Sequence, residues 1–177
     1  MINADELLFS VDENNNPIEP QPRSLSHQTG IWHRVSHVWI TDGKGNLLCQ
    51  QRSMLKDSNP GCWEPFFGGH LAPGQEYLAG ARSELQEELG IQAAPEEFRL
   101  WQVYKLTDFT EYEAVFALQW NGSLDSLAIE KEEVEKVEWR SIAEVRQATT
   151  NAANRTWTHC GYEPAFLDWL ETSAGQR

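Results

Sequence analysis

The segment GGHLAPGQEYLAGARSELQEELGI, residues 68–91, constrains the fold more than any other part of the chain. Its first half is a loop rich in Gly and Pro, and its second half has the periodicity of a helix. Wound at about 100° per residue over 76–89, Leu78, Ala81, Leu85 and Leu89 fall within one arc, a stripe that must be buried. Gly90 stands where a left-handed residue would end such a helix. Glu84, Glu87 and Glu88 occupy the neighbouring arc at i,i+3 and i,i+4 spacings. Each like-charged pair costs about 0.2–0.5 kcal/mol. All three lie in the last two turns, where the helix dipole disfavours an anion by roughly 0.3–1 kcal/mol. A helix selected for stability alone would carry Lys or Arg there. A divalent cation held between the carboxylates reverses both penalties, and hard oxygen donors suit Mg²⁺ or Mn²⁺. A solvated acidic face is the alternative reading.

The remaining elements fall on either side of this helix. Residues 6–11 (ELLFSV) and the stretch around Ile18, joined by DENNNP, read as an N-terminal β-hairpin extension at about 5–22. A polar connection, PQPRSLSHQTG, leads to a strand over 33–41, and the turn DGKGN joins that strand to another over 46–52. Strands follow at 98–106, 111–120 and 134–140, then helices at 141–148 and 163–172. Phe166, Trp169 and Leu170, at i, i+3 and i+4, predict that the last helix packs on the core. This order is α/β, a mixed β-sheet covered by helices in a single domain spanning 1–177.

Charge narrows the partners. With 27 Asp and Glu against 14 Lys and Arg, the formal net charge is −13, which argues against a nucleic acid polymer or an anionic membrane. A small phosphorylated substrate stays open if a metal supplies positive charge. Three widely spaced cysteines without a CxxC pair suggest a reduced, cytoplasmic protein. The N-terminal stretch has no basic residue before Arg23 and no apolar run of signal-peptide length.

Residues 69–91 resemble the Nudix box: a glycine, five residues, Glu, seven residues, then Arg-Glu-apolar-x-Glu-Glu-x-Gly-apolar. Gly69 matches the first glycine, and Glu84, Leu85, Glu87, Glu88, Gly90 and Ile91 match the second half. The resemblance implies a Nudix-type α/β/α sandwich whose box forms a loop–helix–loop. It implies metal-dependent hydrolysis of a diphosphate linkage in a small molecule, with Glu84, Glu87 and Glu88 holding Mg²⁺ or Mn²⁺. One of them, or Glu133 from the acidic EKEEVEKVEW segment, would act as general base, and Gly68 and Gly69 would meet the substrate. Two positions depart from the pattern. Gln75 replaces the first Glu, and Ser83 replaces the Arg, with Arg82 one place earlier. The three ligands remain, so metal binding is expected to survive.

The run from Trp32 to His70 resembles the isopentenyl-diphosphate isomerase-like branch of the same family. That isomerase binds metal through three His and two Glu, which implies His27, His33, His70, Glu111 and Glu113 here. Imidazoles with carboxylates suit a second ion, Mn²⁺ or Zn²⁺. Alternation supports part of this set independently: Tyr112, Ala114, Phe116, Leu118 and Trp120 share one apolar face, and Glu111 and Glu113 project from the other. Arg52 and Lys56 match basic residues that meet the diphosphate in that branch. The isomerase also needs a Cys directly before its Gly-His, and here that position is Gly68, with Cys62 six residues earlier. Proton transfer to an allylic product then lacks one partner, so hydrolysis leads. Isomerisation of isopentenyl diphosphate, and a catalytically silent diphosphate-binding module, are the alternatives.

Overall fold

The computed structural model describes residues 6–151 and 153–172. Along the chain these form β1 (Leu7–Leu8), β2 (Gln21–Pro22), α1 (Arg23–Thr29), β3 (His33–Thr41), β4 (Asn46–Arg52), β5 (Trp63–Glu64) and β6 (Phe67–His70). There follow α2 (Tyr77–Leu89), β7 (Phe98–Leu106), β8 (Glu111–Gln119), β9 (Val134–Ser141), α3 (Ile142–Thr150) and α4 (Glu163–Glu171). The expected N-terminal hairpin is present as the antiparallel pair β1–β2, and residue 5, where it was expected to begin, lies outside the described residues.

Alternation along β3 and β8 builds a core on each face of the sheet. Val38, Ile40, Ala114, Phe116 and Leu118 point one way and pack with Ala81, Leu85 and Leu89, the stripe expected of α2. Trp39, Val115 and Ala117 point the other way and pack with Val145, Phe166, Leu167 and Leu170 from α3 and α4. Each fully buried Leu or Phe contributes about 1.5–3 kcal/mol, which offsets the cost of ordering three layers. The result is the expected α/β/α arrangement around a mixed sheet. Gly90 ends α2 at φ 71°, its N–H donating to the carbonyls of Gln86 and Leu85.

Among the described residues the main sheet has seven strands, ordered β5-β4-β3-β8-β7, with β6 on β3 and β9 on β4. Two features of its register position the site. β3 and β8 are parallel, with His33 opposite Glu111 and Val35 opposite Glu113. On its other edge β3 pairs with β4 only at Ile40 and Thr41, and β6 takes over that edge, setting Gly68 opposite His37 and His70 opposite Val35. Gly68 has φ 146°, and a Cβ there would stand 1.9 Å from the Ser36 carbonyl oxygen, so the backbones approach too closely for any side chain.

One expectation is corrected. The connection PQPRSLSHQTG contains helix α1, entered after Pro22 and closed by Gly30 at φ 69°. Its only wholly buried residue is Ser26, so it has no apolar stripe by which a sequence could announce it.

Candidate active site

Helix α2 carries Glu84, Glu87 and Glu88 to a cleft of about 840 Å³, which Gly68, Gly69, His70, Arg52, Lys56, Glu111, Glu113 and Glu133 also line. An adjoining cavity of about 510 Å³ is lined by His27 and shares Arg23, His70 and Glu111 with it. Glu88 is 6% exposed, and its Oε2 has no hydrogen-bond partner among the described residues. Burial, and then the charges of Glu84 and Glu64, push its carboxyl well above the usual range. Burial likewise raises Glu84 to about 7, with Glu87 and Glu133 adding to it and Lys56 opposing. Gly69 leaves the room this requires: a Cβ there would lie 2.9 Å from the Glu84 carboxyl carbon and both oxygens.

The cations expected at the diphosphate are already partnered. Arg52 Nη1 donates to both Glu64 oxygens at 3.0 Å, and Lys56 Nζ pairs with Glu133. A third cation escaped the sequence reading. Arg23, from α1, lines both cavities, and its buried Nε finds no hydrogen-bond partner among the described residues. The departures from the box pattern have local roles. Gln75 Oε1 accepts from Ala72 N–H at 2.9 Å and braces the loop. Ser83 Oγ donates to Glu87 Oε1 at 3.2 Å, whereas Arg82 Nε donates to the Ala93 carbonyl.

Four elements bring the second donor set together: His27 from α1, His33 from β3, His70 from β6 and Glu111 from β8. The three rings lie 5.0–5.2 Å apart between centroids. His33 Nδ1 is 2.9 Å from the Ile31 carbonyl, which can only accept, so Nδ1 carries a proton and Nε2 is the ring atom that faces the site. That buried Nε2 has no hydrogen bond among the described residues and lies 3.4 Å from Glu111 Oε1. His70 Nε2 is 3.2 Å from His27 Nε2 and 4.0 Å from Glu111 Oε1. Burial, then the neighbouring His33, lowers His27 and holds His70 well below the ordinary imidazole value, which favours the neutral ring that a cation would need. Against the raising effect of burial, the neighbouring His33, and then His37, keep Glu111 low.

Glu113 stays beside Glu111, one of its expected partners, but also groups with His37 and Cys160. Burial pushes its carboxyl up beyond what His37 takes back. The pairing register explains the division, because His33 stands beside Glu111 whereas Glu113 stands beside Val35, with His37 next on the same face. The orphaned atoms Glu88 Oε2 and His33 Nε2, amid oxygen and imidazole donors, fit divalent cations.

Comparison with known proteins agrees with this fold. The NUDIX domain model matches residues 32–159. The chain is similar to isopentenyl-diphosphate Delta-isomerase 2 of Photorhabdus laumondii, 30% identical over 153 residues and 84% of each chain. It is also similar to an uncharacterised Nudix hydrolase of Yersinia pestis, 31% identical over 135 residues, 76% of this chain and 72% of that one. The crystal structure of DR0079 from Deinococcus radiodurans superposes with a TM-score of 0.75 at 18% identity, over 94% of this chain and all of the other, which speaks for the fold. The domain match and the two relatives agree with the box on α2, and the chain belongs to the Nudix family of hydrolases.

Proposed function

We propose that the cleft hydrolyses a diphosphate linkage in a small organic or nucleoside diphosphate derivative. Glu84, Glu87 and Glu88 would hold Mg²⁺ or Mn²⁺, and His27, His33, His70 and Glu111 a second ion, Mn²⁺ or Zn²⁺. The observation that carries this reading is the convergence of two donor sets on adjoining cavities, each with a buried donor atom that nothing else satisfies. Bound divalent ions neutralise a diphosphate and make water a better nucleophile at neutral pH. The chain does the rest. Gly68 and Gly69 keep side chains off the cleft wall so that a phosphate can approach the backbone. Arg23 offers charged donors to phosphate oxygens. Glu133, held by Lys56, is the base proposed to take the proton from water. The substrate is a small molecule and not a nucleic acid polymer. The proposed compartment is the cytoplasm, consistent with three free cysteines, and no helix among the described residues is long and apolar enough to cross a membrane.

The test is phosphate or phosphorylated-product release from a panel of diphosphate compounds by chelator-stripped protein, with and without Mg²⁺ or Mn²⁺. Metal-dependent turnover of at least one compound is expected, and none across the panel overturns the reading. Arg23→Ala should raise KM for that compound about tenfold, the scale of one charged hydrogen bond, with a smaller change in kcat. An unchanged KM would remove Arg23 from the substrate site.

Relatives named as isomerases make isomerisation the second reading. Gly68 opposes it, since the backbone contact at this position has no room for the thiol that chemistry needs. Gly68→Cys should therefore not convert isopentenyl diphosphate to its dimethylallyl isomer. Product analysis showing conversion by that variant, or by the unaltered chain, would reverse the preference.

A further inference from the structure

We propose a third cation site, for a thiophilic divalent ion such as Zn²⁺, formed by His37, Glu113 and Cys160 in the wall of the cleft. This goes beyond diphosphate hydrolysis and does not rest on it. All three side chains line the same cavity, and one donor atom from each lies within 4.8 Å of the other two. They come from β3, β8 and the segment just before α4, so the site exists only in the folded chain. Glu113 is 1% exposed, and its Oε2, 3.4 Å from His37 Nδ1, has no hydrogen-bond partner among the described residues. A buried carboxylate oxygen with no hydrogen bond and only the long contact to His37 is an under-met demand, and a cation bonded to it meets that demand.

The donor chemistry selects the ion. One imidazole nitrogen, one carboxylate oxygen and one thiolate sulfur suit Zn²⁺, whereas Mg²⁺ takes oxygen ligands. Neutral imidazole, carboxylate and thiolate around one divalent ion sum to zero charge, the balance that a buried site tolerates best. On binding, the Cys160 S–H proton, and any proton held between His37 and Glu113, pass to solvent as the bonds to the metal form. The surroundings hold the ligands in place. The His37 ring stacks on Phe66 at 4.0 Å and 18°, and its Nδ1 is 2.9 Å from the Tyr162 hydroxyl. Cys160 N–H donates to Glu163 Oε1 at 2.6 Å, which fixes the main chain at the start of α4. Three protein ligands opening on the cleft leave a fourth position for water or a substrate atom. Among the described residues Cys160 is the one thiol that lines the cleft, and the His27 group has none.

That difference supplies the test. Chelator-treated full-length protein is titrated with Co²⁺ and followed in the near ultraviolet, where only a thiolate ligand gives a charge-transfer band. The band should appear, saturate, and disappear on adding Zn²⁺. It should be lost in Cys160→Ser and kept in Cys62→Ser, His27→Ala and Glu88→Gln. Tyr162→Phe, which only releases the His37 ring, should weaken Zn²⁺ binding about 10- to 100-fold with the fold intact by circular dichroism. No band in the unaltered protein, a band that survives in Cys160→Ser, or undiminished Zn²⁺ affinity in Tyr162→Phe would each overturn the proposal.

Discussion

Glu88→Gln should lower kcat/KM for a diphosphate substrate by about 100- to 1,000-fold, the scale of removing one group that stabilises charge in a transition state. The substitution keeps shape and volume, and it removes a single anionic oxygen. That oxygen sits in a residue 6% exposed and bonds to nothing else among the described residues, so its loss is felt only by what binds there. Two readouts separate a ligand from a bystander. If Glu88 holds the ion, raising Mn²⁺ should recover part of the rate, and the loss should fall mainly on kcat at saturating substrate. Steady-state kinetics across a Mn²⁺ series gives both. A full rate in this variant would take Glu88 out of the ligand set. Saturable diphosphate binding by the unaltered chain without turnover would instead favour the silent-module reading, in which Gln75 and Ser83 mark a box no longer used for chemistry.

What the sequence disclosed and what it hid follow from the range of the interactions. Helix α2, its Gly90 cap and the DGKGN turn obey rules that act within a few residues, so they are legible directly. In that turn Asp42 Oδ1 accepts from Lys44 and Asn46 N–H at 2.7 and 3.0 Å. Strands β3, β4, β7 and β8 were legible because apolar residues fill them. Helix α1 was not, being seven residues long with no apolar face, and it brings Arg23 and His27 to the site. The partners of the cleft cations were also hidden. Lys56 and Glu133 are 77 positions apart, and no local pattern links them. Gly68 shows in the sequence as a missing cysteine, but only the β3–β6 contact gives the physical reason. Alternation correctly put Glu111 and Glu113 on one face, yet it could not divide them between His33 and His37. That division is set by the parallel register of β3 and β8, which no single strand encodes.

The second large effect concerns stability without metal. Compared in chelator, Glu84→Gln should match the unaltered protein near pH 4 and exceed it by roughly 3 kcal/mol at pH 8. Glu84 is raised from 4.5 to about 7, chiefly by burial and then by Glu87 and Glu133. An acid with a raised folded value binds protons more tightly folded than unfolded. Its ionisation therefore removes stability as pH climbs from 4.5 to 7, and the whole penalty is present above that. Gln cannot ionise and escapes it. The difference between variants is the quantity to measure, because other groups tilt each curve alone. His27 and His70, lowered in the fold, make stability rise with pH below 6.5, opposite to Glu84, and subtraction cancels them. Urea midpoints at several pH values in chelator should show the gap opening across pH 4.5–7 and then levelling. Adding Mn²⁺ should reverse its sign, since the ion stabilises the chain that binds it better. A gap that stays flat with pH would mean Glu84 ionises as freely in the fold as outside it. A gap that opens but ignores Mn²⁺ would leave a strained acidic cluster with no ion to relieve it.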